Sequence, residues 1–351
     1  MLSRKCGEVL ASLLEFTKTN LSGPDFVPGS EKGALDWPSM HFIRVLPGFA
    51  LAVLIATGQE APKGSLIDGN RLLADLQVLS GDAMQGRRTG TPGAEKARAF
   101  IADRFKASGA APFGESYEHA FTIAGRGNGG PDRGVNVIGR IDGTSQTRRY
   151  IVVSAHYDHL GTQNGVVFNG ADDNASGTAA LFAIAKYFST HAPKNSLILA
   201  AFDAEEIGLR GSQAFVTRPP VDLRSISLNL NLDMIGREAD SRLFVVGTAL
   251  QPFLRPYVES AAKKSSVRLV FGHEDPSRSE DWTRDSDHYS FMQAKIPALY
   301  FGVEDFDQHH KATDDYETMT HDFYVRAVET LVHVIEEFDA NLDAIQTRAP
   351  R

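Results

Sequence analysis

Apolar and polar positions follow two different periods along the chain from Leu66 onward. Apolar spacings of three and four predict helices over Leu66–Leu79 and Ala94–Ala107. Short runs of almost continuous apolar residues predict buried strands. These runs are Gly134–Ile141, Tyr150–Ala155, Leu197–Phe202, Ile226–Leu232, Leu243–Val246, Val267–Phe271 and Ala298–Gly302. Only a short link containing Asp142-Gly143 separates the first two strands, which favours a hairpin or an adjacent pair.

Helical patterns separate most of the later strands. They cover Ala175–Phe188, Gly208–Val216, Pro252–Lys264 and Phe323–Leu342. This alternation predicts an α/β fold, with a mostly parallel (mixed) central sheet and helices on both of its faces. We expect one domain over residues 66–341, with no room for an inserted second domain. The loop Gly125–Gly130 lacks the strand–turn–helix context of a nucleotide-binding loop.

The N-terminal region resembles a targeting segment. Its apolar run Val45–Ala56 is shorter than the ~20 residues that a membrane-spanning helix needs. Met40–Arg44 provides a short positive region before the run, and Ala56-Thr57-Gly58 provides small residues after it. We therefore expect a signal peptide over residues 40–58, with Met40 as the natural start and no stable membrane insertion after cleavage. Residues 1–39 are then an upstream extension without a function, the alternative being an ordinary structured arm.

Composition narrows the class of protein. The chain has 351 residues, 42% hydrophobic content and a formal net charge of −8, which is typical of a globular protein with a sizeable core. No block of basic residues is present, which argues against nucleic-acid binding. The sole cysteine, Cys6, lies before the predicted signal peptide, so the mature protein cannot depend on disulfides. A secreted or periplasmic location is expected from the targeting segment alone.

Polar residues with metal-binding chemistry occur where predicted strands end. His156 and Asp158 follow the strand Tyr150–Ala155, and an aspartate two positions on can orient a ligand histidine. A capped strand end with a solvated histidine is the alternative, and His159 could be the ligand instead. Asp172 and Asp173 enter a turn of small residues before a helix, where they could bind cations or simply cap the helix.

Three further clusters follow later in the chain. Glu205 and Glu206 come after the buried strand that ends at Phe202, where acids are costly unless cations or water neutralise them. Asp233 ends another apolar strand, and His309 and His310 lie in a polar loop before the last helix. Each cluster has an alternative without metal. Glu205 and Glu206 could be acids at the start of a helix, Asp233 could be a lone carboxylate, and the two histidines could be exposed loop residues. Together His156, Asp172, Glu206, Asp233 and His310 form a mixed set that suits two zinc-class ions.

An ordered set of motifs resembles the co-catalytic di-zinc aminopeptidases of the bacterial leucyl aminopeptidase and aminopeptidase Y type. The resemblance covers about Leu66 to Asn341. It rests on the segment Leu79–Gly93, on Ser154-Ala-His-Tyr-Asp-His159, Gly170-Ala-Asp-Asp-Asn-Ala-Ser-Gly177, Ala204-Glu-Glu206, Asn231-Leu-Asp-Met-Ile-Gly-Arg237, Ser286-Asp-His288 and His310-Lys-Ala-Thr-Asp314.

This resemblance implies a role for each residue. His156 and Asp233 would hold one zinc ion, Glu206 and His310 the other, and Asp172 would bridge the two. Glu205 would be the general base, Asp158 would orient His156, and the Asp172–Asp173 peptide bond would be cis. The family often has tyrosine or a small residue at the position of His309, so either His309 or His310 could bind metal; the spacing to Asp314 favours His310.

The resemblance also implies the activity. We expect a zinc exopeptidase fold, two Zn²⁺ per chain and cleavage of the first residue from peptides with a free N-terminus. The loops Glu280–Tyr289 and Val303–Gln308 are expected to build the pocket for that residue, and Ser286-Asp287-His288 to lie near the site or to cap a helix.

Three other activities stay open from the sequence. A carboxypeptidase would need a cation for the substrate carboxylate, for which Arg237, Arg284 and Lys311 are candidates. A glutaminyl cyclase relative would bind one zinc ion, and a non-catalytic peptide receptor would have lost ligands. Neither the preferred N-terminal residue nor the oligomeric state follows from the sequence.

Overall fold

A mixed sheet of nine strands forms the centre of the described part of the chain. The computed structural model describes residues 65–123, 132–278 and 280–348. The predicted signal peptide, the residues before it and the loop Gly125–Gly130 lie outside the described residues. The helices are α1 (Gly69–Leu79), α2 (Pro92–Ser108), α3 (Gly177–Thr190), α4 (Arg210–Thr217), α5 (Arg255–Ala262), α6 (His288–Gln293) and α7 (His321–Arg348).

The strands are β1 (Ala111–Pro112), β2 (Glu118–Thr122), β3 (Arg133–Ile141), β4 (Gln146–His156), β5 (Gly161–Gln163), β6 (Val166–Phe168), β7 (Asn195–Phe202), β8 (Ile226–Leu232), β9 (Arg242–Val246), β10 (Arg268–Phe271) and β11 (Ala298–Gly302). The order in the sheet is β1-β3-β7-β4-β8-β11-β9-β10, with β2 also paired to β3, while β5 and β6 form a separate hairpin.

The middle of the sheet is parallel and its flanks are mixed. Strands β7, β4, β8 and β11 run in the same direction. Strand β3 is antiparallel to β7, and β9 is antiparallel to β11. The predicted mixed α/β fold is thus confirmed. The predicted pairing of the first two strands is wrong, because β7 lies between β3 and β4.

Alternate residues of the central strands pack on opposite faces of the sheet. Ile151 and Val153 of β4 join the core beneath α1, α2, α3, α5 and α7, whereas Val152 joins a second core beneath α4 and α6. The sheet is therefore covered on both faces, as expected for buried parallel strands.

Local signals account for the start of α2. Pro92 occupies its first turn, and the Thr91 hydroxyl accepts a hydrogen bond from the Ala94 amide, so the helix begins two residues before the predicted Ala94. The sequence does not predict strands β1, β2, β5 and β6 or helix α6; each is at most six residues long. No helix of the described chain combines the length and the apolar content needed to cross a membrane.

Candidate metal centre

The carboxyl ends of three neighbouring parallel strands bring the predicted site residues together. His156 is the last residue of β4, Glu205 and Glu206 follow β7, and Asp233 follows β8. Because β7, β4 and β8 are adjacent and parallel, their ends meet at one edge of the sheet. This edge is where open α/β sheets bind their ligands.

A tight turn before α3 adds an acidic residue to this edge. Gly170 has a positive φ of 55°, and a Cβ there would lie 2.1 Å from the carbonyl oxygen of Asp173, so only glycine fits. The carboxylate of Asp314 accepts the backbone N–H groups of Asp172 and Asp173 at 3.0–3.1 Å. The cis peptide bond lies between Asp173 and Asn174, one position after the bond predicted to be cis.

The carboxylate of Asp173 lies at the centre of the site. Its Oδ1 is 3.3 Å from His156 Nε2, which is 3.2 Å from Asp233 Oδ1. Its Oδ2 is 3.3 Å from His310 Nε2, which is 2.9 Å from Glu206 Oε2. The two oxygens of Asp173 therefore face two different groups of potential ligands.

Asp172 does not occupy the shared position that the sequence predicted for it. Its Oδ1 accepts the backbone N–H of Gly236 at 2.7 Å, and it belongs to none of the described groups that could hold a metal ion. Burial, together with the nearby Asp314 carboxylate, raises the pKa of Asp172 well above its ordinary value. Asp173 thus replaces Asp172 between the two ligand groups, and the prediction is corrected by one residue.

The distances to Asp173 and Glu206 distinguish His309 from His310 as potential ligands. His310 contacts both Asp173 and Glu206, whereas the described ion pairs of His309 include only Asp173, with Nε2 3.6 Å from Oδ2. His309 still forms a potential ligand group with Asp173 and His310. The geometry favours His310 as the primary ligand.

The role predicted for Asp158 is divided between its backbone and its side chain. His156 Nδ1 lies 3.1 Å from the backbone carbonyl of Asp158 and 3.8 Å from its carboxylate. The carboxylate accepts the backbone N–H of Glu205 at 3.0 Å and the Thr89 hydroxyl at 3.2 Å. The carbonyl oxygen therefore orients His156, which corrects the prediction that the carboxylate would, and the carboxylate fixes the backbone at Glu205.

Glu205 and Glu206 lie side by side in different surroundings. Both oxygens of Glu206 face imidazoles, Oε1 at 2.6 Å from His159 and Oε2 at 2.9 Å from His310. Among the described residues, no side chain hydrogen-bonds the Glu205 carboxylate, which faces the cavity. Burial raises the pKa of Glu205 well above its ordinary value, and nearby acids add to the increase.

The charges of the site depend strongly on each other. Burial by itself would raise the pKa of Asp173, but the imidazoles of His159, His156 and His310 outweigh it and hold that pKa well below its ordinary value. Hydrogen bonds to Asp173 and Glu206 raise the pKa of His310 to about 10. Protonated imidazoles thus compensate part of the buried negative charge.

The donor set fits two zinc-class cations. Asp173 Oδ2 is buried and makes no well-formed hydrogen bond to a described residue, although three imidazole nitrogens lie within 3.7 Å of it. One group is His156, Asp173 and Asp233. On the other side of Asp173 lie two overlapping groups, one with His159 and Glu206 and one with His309 and His310. His310 also contacts Glu206 at 2.9 Å, so we take Asp173, Glu206 and His310 as the second group. Imidazole nitrogen and carboxylate oxygen are ligands that zinc accepts at catalytic sites with an open position.

Arg87 supports the turns that carry these residues. It is fully buried, and its guanidinium donates to the backbone carbonyls of Leu79, Tyr157, Asn169 and Gly170 at 2.5–2.8 Å. Burial lowers the pKa of Arg87 to about 10. Arg87 lies within the motif segment Leu79–Gly93, but the sequence does not predict its role, because its partners are backbone atoms that a sequence pattern does not specify.

A polar network beneath the sheet edge supports Asp233. Ser286 donates its hydroxyl hydrogen to Asp233 Oδ2 at 2.6 Å and accepts a hydrogen bond from Asn231 at 2.8 Å. Ser286 therefore acts next to the site, as predicted for the Ser286-Asp287-His288 segment. Asp287 and His288 are fully buried behind it.

A cavity of about 440 Å³ opens onto the two ligand groups. Trp282, Phe306 and Val303 contribute an apolar wall, and Asp285 and Asp305 add carboxylates beside the ligands. The loops expected to build a substrate pocket thus both line the cavity. The described lining contains no lysine or arginine. Its full set is His156, Asp173, Glu205, Glu206, Gly208, Leu209, Asp233, Met234, Trp282, Asp285, Tyr300, Val303, Asp305, Phe306, His309 and His310.

Comparisons with known proteins show a peptidase family and relatives described as zinc metalloproteases. The model of peptidase family M28 matches residues 136–335. A probable zinc metalloprotease from Pyrenophora tritici-repentis is 27% identical over 201 residues, 47% of this chain and 41% of that protein. Aminopeptidase YwaD from Bacillus subtilis is 32% identical over 155 residues, 43% of this chain and 31% of that protein. The matches therefore span less than half the length of these curated relatives.

Two solved structures share the fold. A zinc aminopeptidase from Bacillus subtilis is 18% identical with a TM-score of 0.62, covering 78% of this chain and 95% of that one. The glutaminyl cyclase of Porphyromonas gingivalis is 17% identical with a TM-score of 0.62, covering 78% of this chain and 99% of that one. At these identities the likeness shows the fold and leaves the reaction open.

Proposed function

Because this chain belongs to peptidase family M28, and is therefore a zinc-dependent peptidase, we propose that it is an aminopeptidase that removes the first residue of peptides with a free N-terminus. The observation that carries this proposal is the charge of the cavity. Its described lining holds six carboxylates and no lysine or arginine. Glu205 and Asp285 lie outside both the ligand groups assigned below and the described ion pairs. Such a cavity suits the ammonium group of an N-terminus and disfavours a C-terminal carboxylate.

The three cations considered for a carboxypeptidase are engaged elsewhere. Arg237 pairs with Asp305 and lies 2.6 Å from Asp314. Lys311 donates to the carbonyl of Asp307, and Arg284 lies over the ring of Tyr289. None of the three belongs to the described lining of the cavity. This arrangement favours the aminopeptidase over the carboxypeptidase.

We assign the ligands from the geometry of the two groups. His156 and Asp233 would hold one ion, Glu206 and His310 the other, and Asp173 would contribute one oxygen to each. When bound, such a pair of ions polarises a carbonyl group and lowers the pKa of water toward neutrality. The complete pair of groups favours two ions per chain over the single ion expected of a cyclase.

Side chains around the ligands would transfer protons, hold the backbone and bind the substrate. Glu205 has no described side-chain partner and faces the cavity, so its carboxylate can take a proton from water and return it to the leaving amine. The Asp158 carboxylate holds the Glu205 backbone in place at 3.0 Å. Asp285, outside both ligand groups, supplies a further carboxylate for the substrate ammonium.

A panel of chromogenic aminoacyl amides tests the activity. The purified protein with zinc should cleave amides of leucine, phenylalanine and lysine, and N-acetylated forms of the same amides should resist. A chelator should abolish cleavage, and added zinc should restore it. Peptides with a blocked N-terminus and a free C-terminus, and peptides with an N-terminal glutamine, complete the panel. Release of C-terminal residues, or cyclisation of glutamine without amide cleavage, would reject the proposal.

Glu205→Gln tests the proton-transfer role. The substitution removes a base that contributes ~10²–10⁴-fold to such reactions, so kcat should fall by about that factor. Zinc content should stay at two per chain because Glu205 belongs to neither assigned ligand group. Asp285→Asn is the matched control for loss of a cavity carboxylate; it should raise KM and leave most of kcat. Full turnover in the Glu205→Gln variant would remove Glu205 from the mechanism.

We further propose that the enzyme is secreted or periplasmic through the segment that begins at Met40, which lies outside the described residues. The apolar run Val45–Ala56 and the small residues after it support this proposal. Cell fractionation followed by N-terminal sequencing tests it. We expect an exported product that begins at Gln59; cytoplasmic protein that retains the apolar run would contradict it.

A further inference from the structure

His159 forms a potential ligand group with Asp173 and Glu206, but it lies closer to Glu206 than His310 does. Its side chain is fully buried, and its Nδ1 is 2.6 Å from Glu206 Oε1. The other oxygen of Glu206, Oε2, is 2.9 Å from His310 Nε2. The two oxygens of Glu206 therefore have different neighbours, and only Oε2 lies on the side of His310.

The backbone fixes the position of the His159 ring. A Cβ on Gly170 would lie 2.5 Å from His159 Cδ2 and 2.6 Å from its Cγ, so the ring packs directly on the glycine. Its Nε2 is buried and has no hydrogen-bond partner among the described residues. Only Nδ1 is engaged, which favours the tautomer that carries its hydrogen on Nδ1.

The distance from His159 to Glu206 indicates whether His159 is a hydrogen-bond donor or a metal ligand. Two ligand atoms on one tetrahedral zinc ion, each about 2.1 Å from it, lie roughly 3.4 Å apart. His156 is 3.2 Å from Asp233 and 3.3 Å from Asp173, close to that separation. The distance of 2.6 Å between His159 and Glu206 is instead typical of a charge-assisted hydrogen bond. The distance of 2.9 Å between His310 and Glu206 lies between that of a hydrogen bond and that of two ligands on one ion.

We propose that His159 is a positioning residue for the second metal ion. Its Nδ1–H donates to Glu206 Oε1, which turns Oε2 toward the place shared by His310 Nε2 and Asp173 Oδ2. This role rests on the proposed two-ion enzyme. It predicts that His159 sets the affinity of one metal position and leaves the other unchanged.

Ser286 has the same role next to Asp233, at the first metal position. Its hydroxyl donates to Asp233 Oδ2 at 2.6 Å, while Asp233 Oδ1 faces His156. Each carboxylate that belongs to a single group thus has one side-chain donor on the oxygen turned away from the ligand histidine. Loss of such a donor typically lowers metal affinity by ~10–100-fold.

Zinc titration of the full metal-free chain by calorimetry, with ¹¹³Cd NMR to resolve the two positions, tests the proposal. His159→Phe keeps the ring and removes the donor, so zinc affinity at one position should fall ~10–100-fold. His159→Asn places an amide N–H near Nδ1 and should restore the affinity to within a few-fold. Ser286→Ala should weaken the other position and shift the other cadmium resonance. At saturating zinc, His159→Phe should regain most of its kcat.

Each outcome has a defined meaning. If His159→Asn loses as much affinity as His159→Phe, His159 is a ligand and the positioning role is wrong. If His159→Phe leaves both zinc affinities unchanged, His159 has no role at the metal position. Wild-type protein that binds fewer than two zinc ions would overturn the proposed function and this inference with it. Circular dichroism of the metal-free variants checks folding, and His159→Ala replaces the phenylalanine variant if that variant does not fold.

Discussion

Asp172 and Asp173 are neighbours in the chain with carboxylates in unlike surroundings. Asp173 faces three imidazoles, which lower its pKa, whereas Asp172 accepts one backbone N–H and lies near the like charge of Asp314, which adds to the effect of burial in raising its pKa. For these two neighbouring residues, the direction in which the tight turn points each side chain decides which carboxylate faces the potential ligands.

The pair Asp173→Asn and Asp172→Asn tests this difference. Asp173→Asn removes a charge that we assign to both ions, so zinc content should fall from two to below one and cleavage should be lost. Asp172→Asn keeps an oxygen for the Gly236 N–H and removes a repulsion with Asp314. It should keep both zinc ions, measured by atomic absorption after dialysis. Equal zinc loss in the two variants would contradict the assignment.

Turns and helices hold the site together at the scale of elements. Arg87 joins the end of α1, the residue after β4 and the turn before α3 through four backbone carbonyls. Such buried carbonyls cost ~1–3 kcal/mol each when they lose their donor. A single side chain therefore carries much of the stability of the turns around His156 and Asp173.

Arg87→Lys measures this contribution. Lysine keeps the charge but has three N–H donors on one nitrogen in place of the five of the guanidinium fork, so at least one of the four carbonyls should lose its donor. The free energy of unfolding, measured by denaturant titration of the zinc-free protein, should fall by ~1–3 kcal/mol or more. Arg88→Lys, at the exposed neighbouring position, should change it by less than ~0.5 kcal/mol. Equal stability of the two variants would show that these hydrogen bonds contribute little.

Helices α3 and α7 are linked through Glu336. Its Oε1 accepts the Tyr187 hydroxyl hydrogen at 2.6 Å, and its Oε2 lies 3.1 Å from His333. Burial acts to raise the pKa of Glu336, but the contacts with Tyr187 and His333 outweigh it and lower that pKa. The charged form of Glu336 therefore stabilises the contact between these helices.

Glu336→Gln should remove a pH-dependent part of the stability. A lowered folded-state pKa gives stability that is present above the unfolded value of about 4.5 and is lost as pH falls through the folded value. The wild type should thus melt above the variant at pH 6 to 7, and the gap should close below about pH 4. Glu337→Gln removes a charge from the same turn and serves as control. A gap that stays constant across this pH range would contradict the role of the charge.

The sequence was sufficient for the elements whose signal is local. Strand β7 was predicted to within two residues, because its apolar run ends abruptly at Asp203. Its place between β3 and β4 was not predicted, because pairs such as Val137 with Ala201 depend on long-range packing. The edge strand β2 was missed because only His119 and Phe121 alternate inward along its five residues.

The site shows the same division between local and long-range signals. Residues at strand ends, such as His156 and Asp233, could be selected because parallel strands end together. The choice between Asp172 and Asp173, and the hydrogen bond from His159 to Glu206, depend on backbone angles that no residue pattern encodes.

The whole molecule concentrates buried negative charge at one edge of its sheet. Asp158, Asp173, Asp203 and Asp233 are all buried there, beside the half-buried Glu205 and Glu206. Buried carboxylates are costly unless cations or hydrogen bonds compensate them. Protonated imidazoles supply part of that compensation, with the pKa of His310 raised to about 10. Zinc would replace those protons, so that metal binding and folding should be coupled.

This coupling predicts a large effect of zinc on thermal stability. At free zinc of about 100 times Kd, each site adds ~2.7 kcal/mol, which raises the melting temperature by roughly 5–10 °C per site. Scanning calorimetry of the metal-free protein with increasing zinc should therefore show a concentration-dependent rise, reversed by a chelator. The Asp173→Asn variant should melt at a temperature that zinc barely changes, because neither ligand group is complete without that carboxylate. A wild-type melting temperature that does not respond to zinc would mean that the acidic edge of the sheet is stable without cations, and the two-ion assignment would then fail.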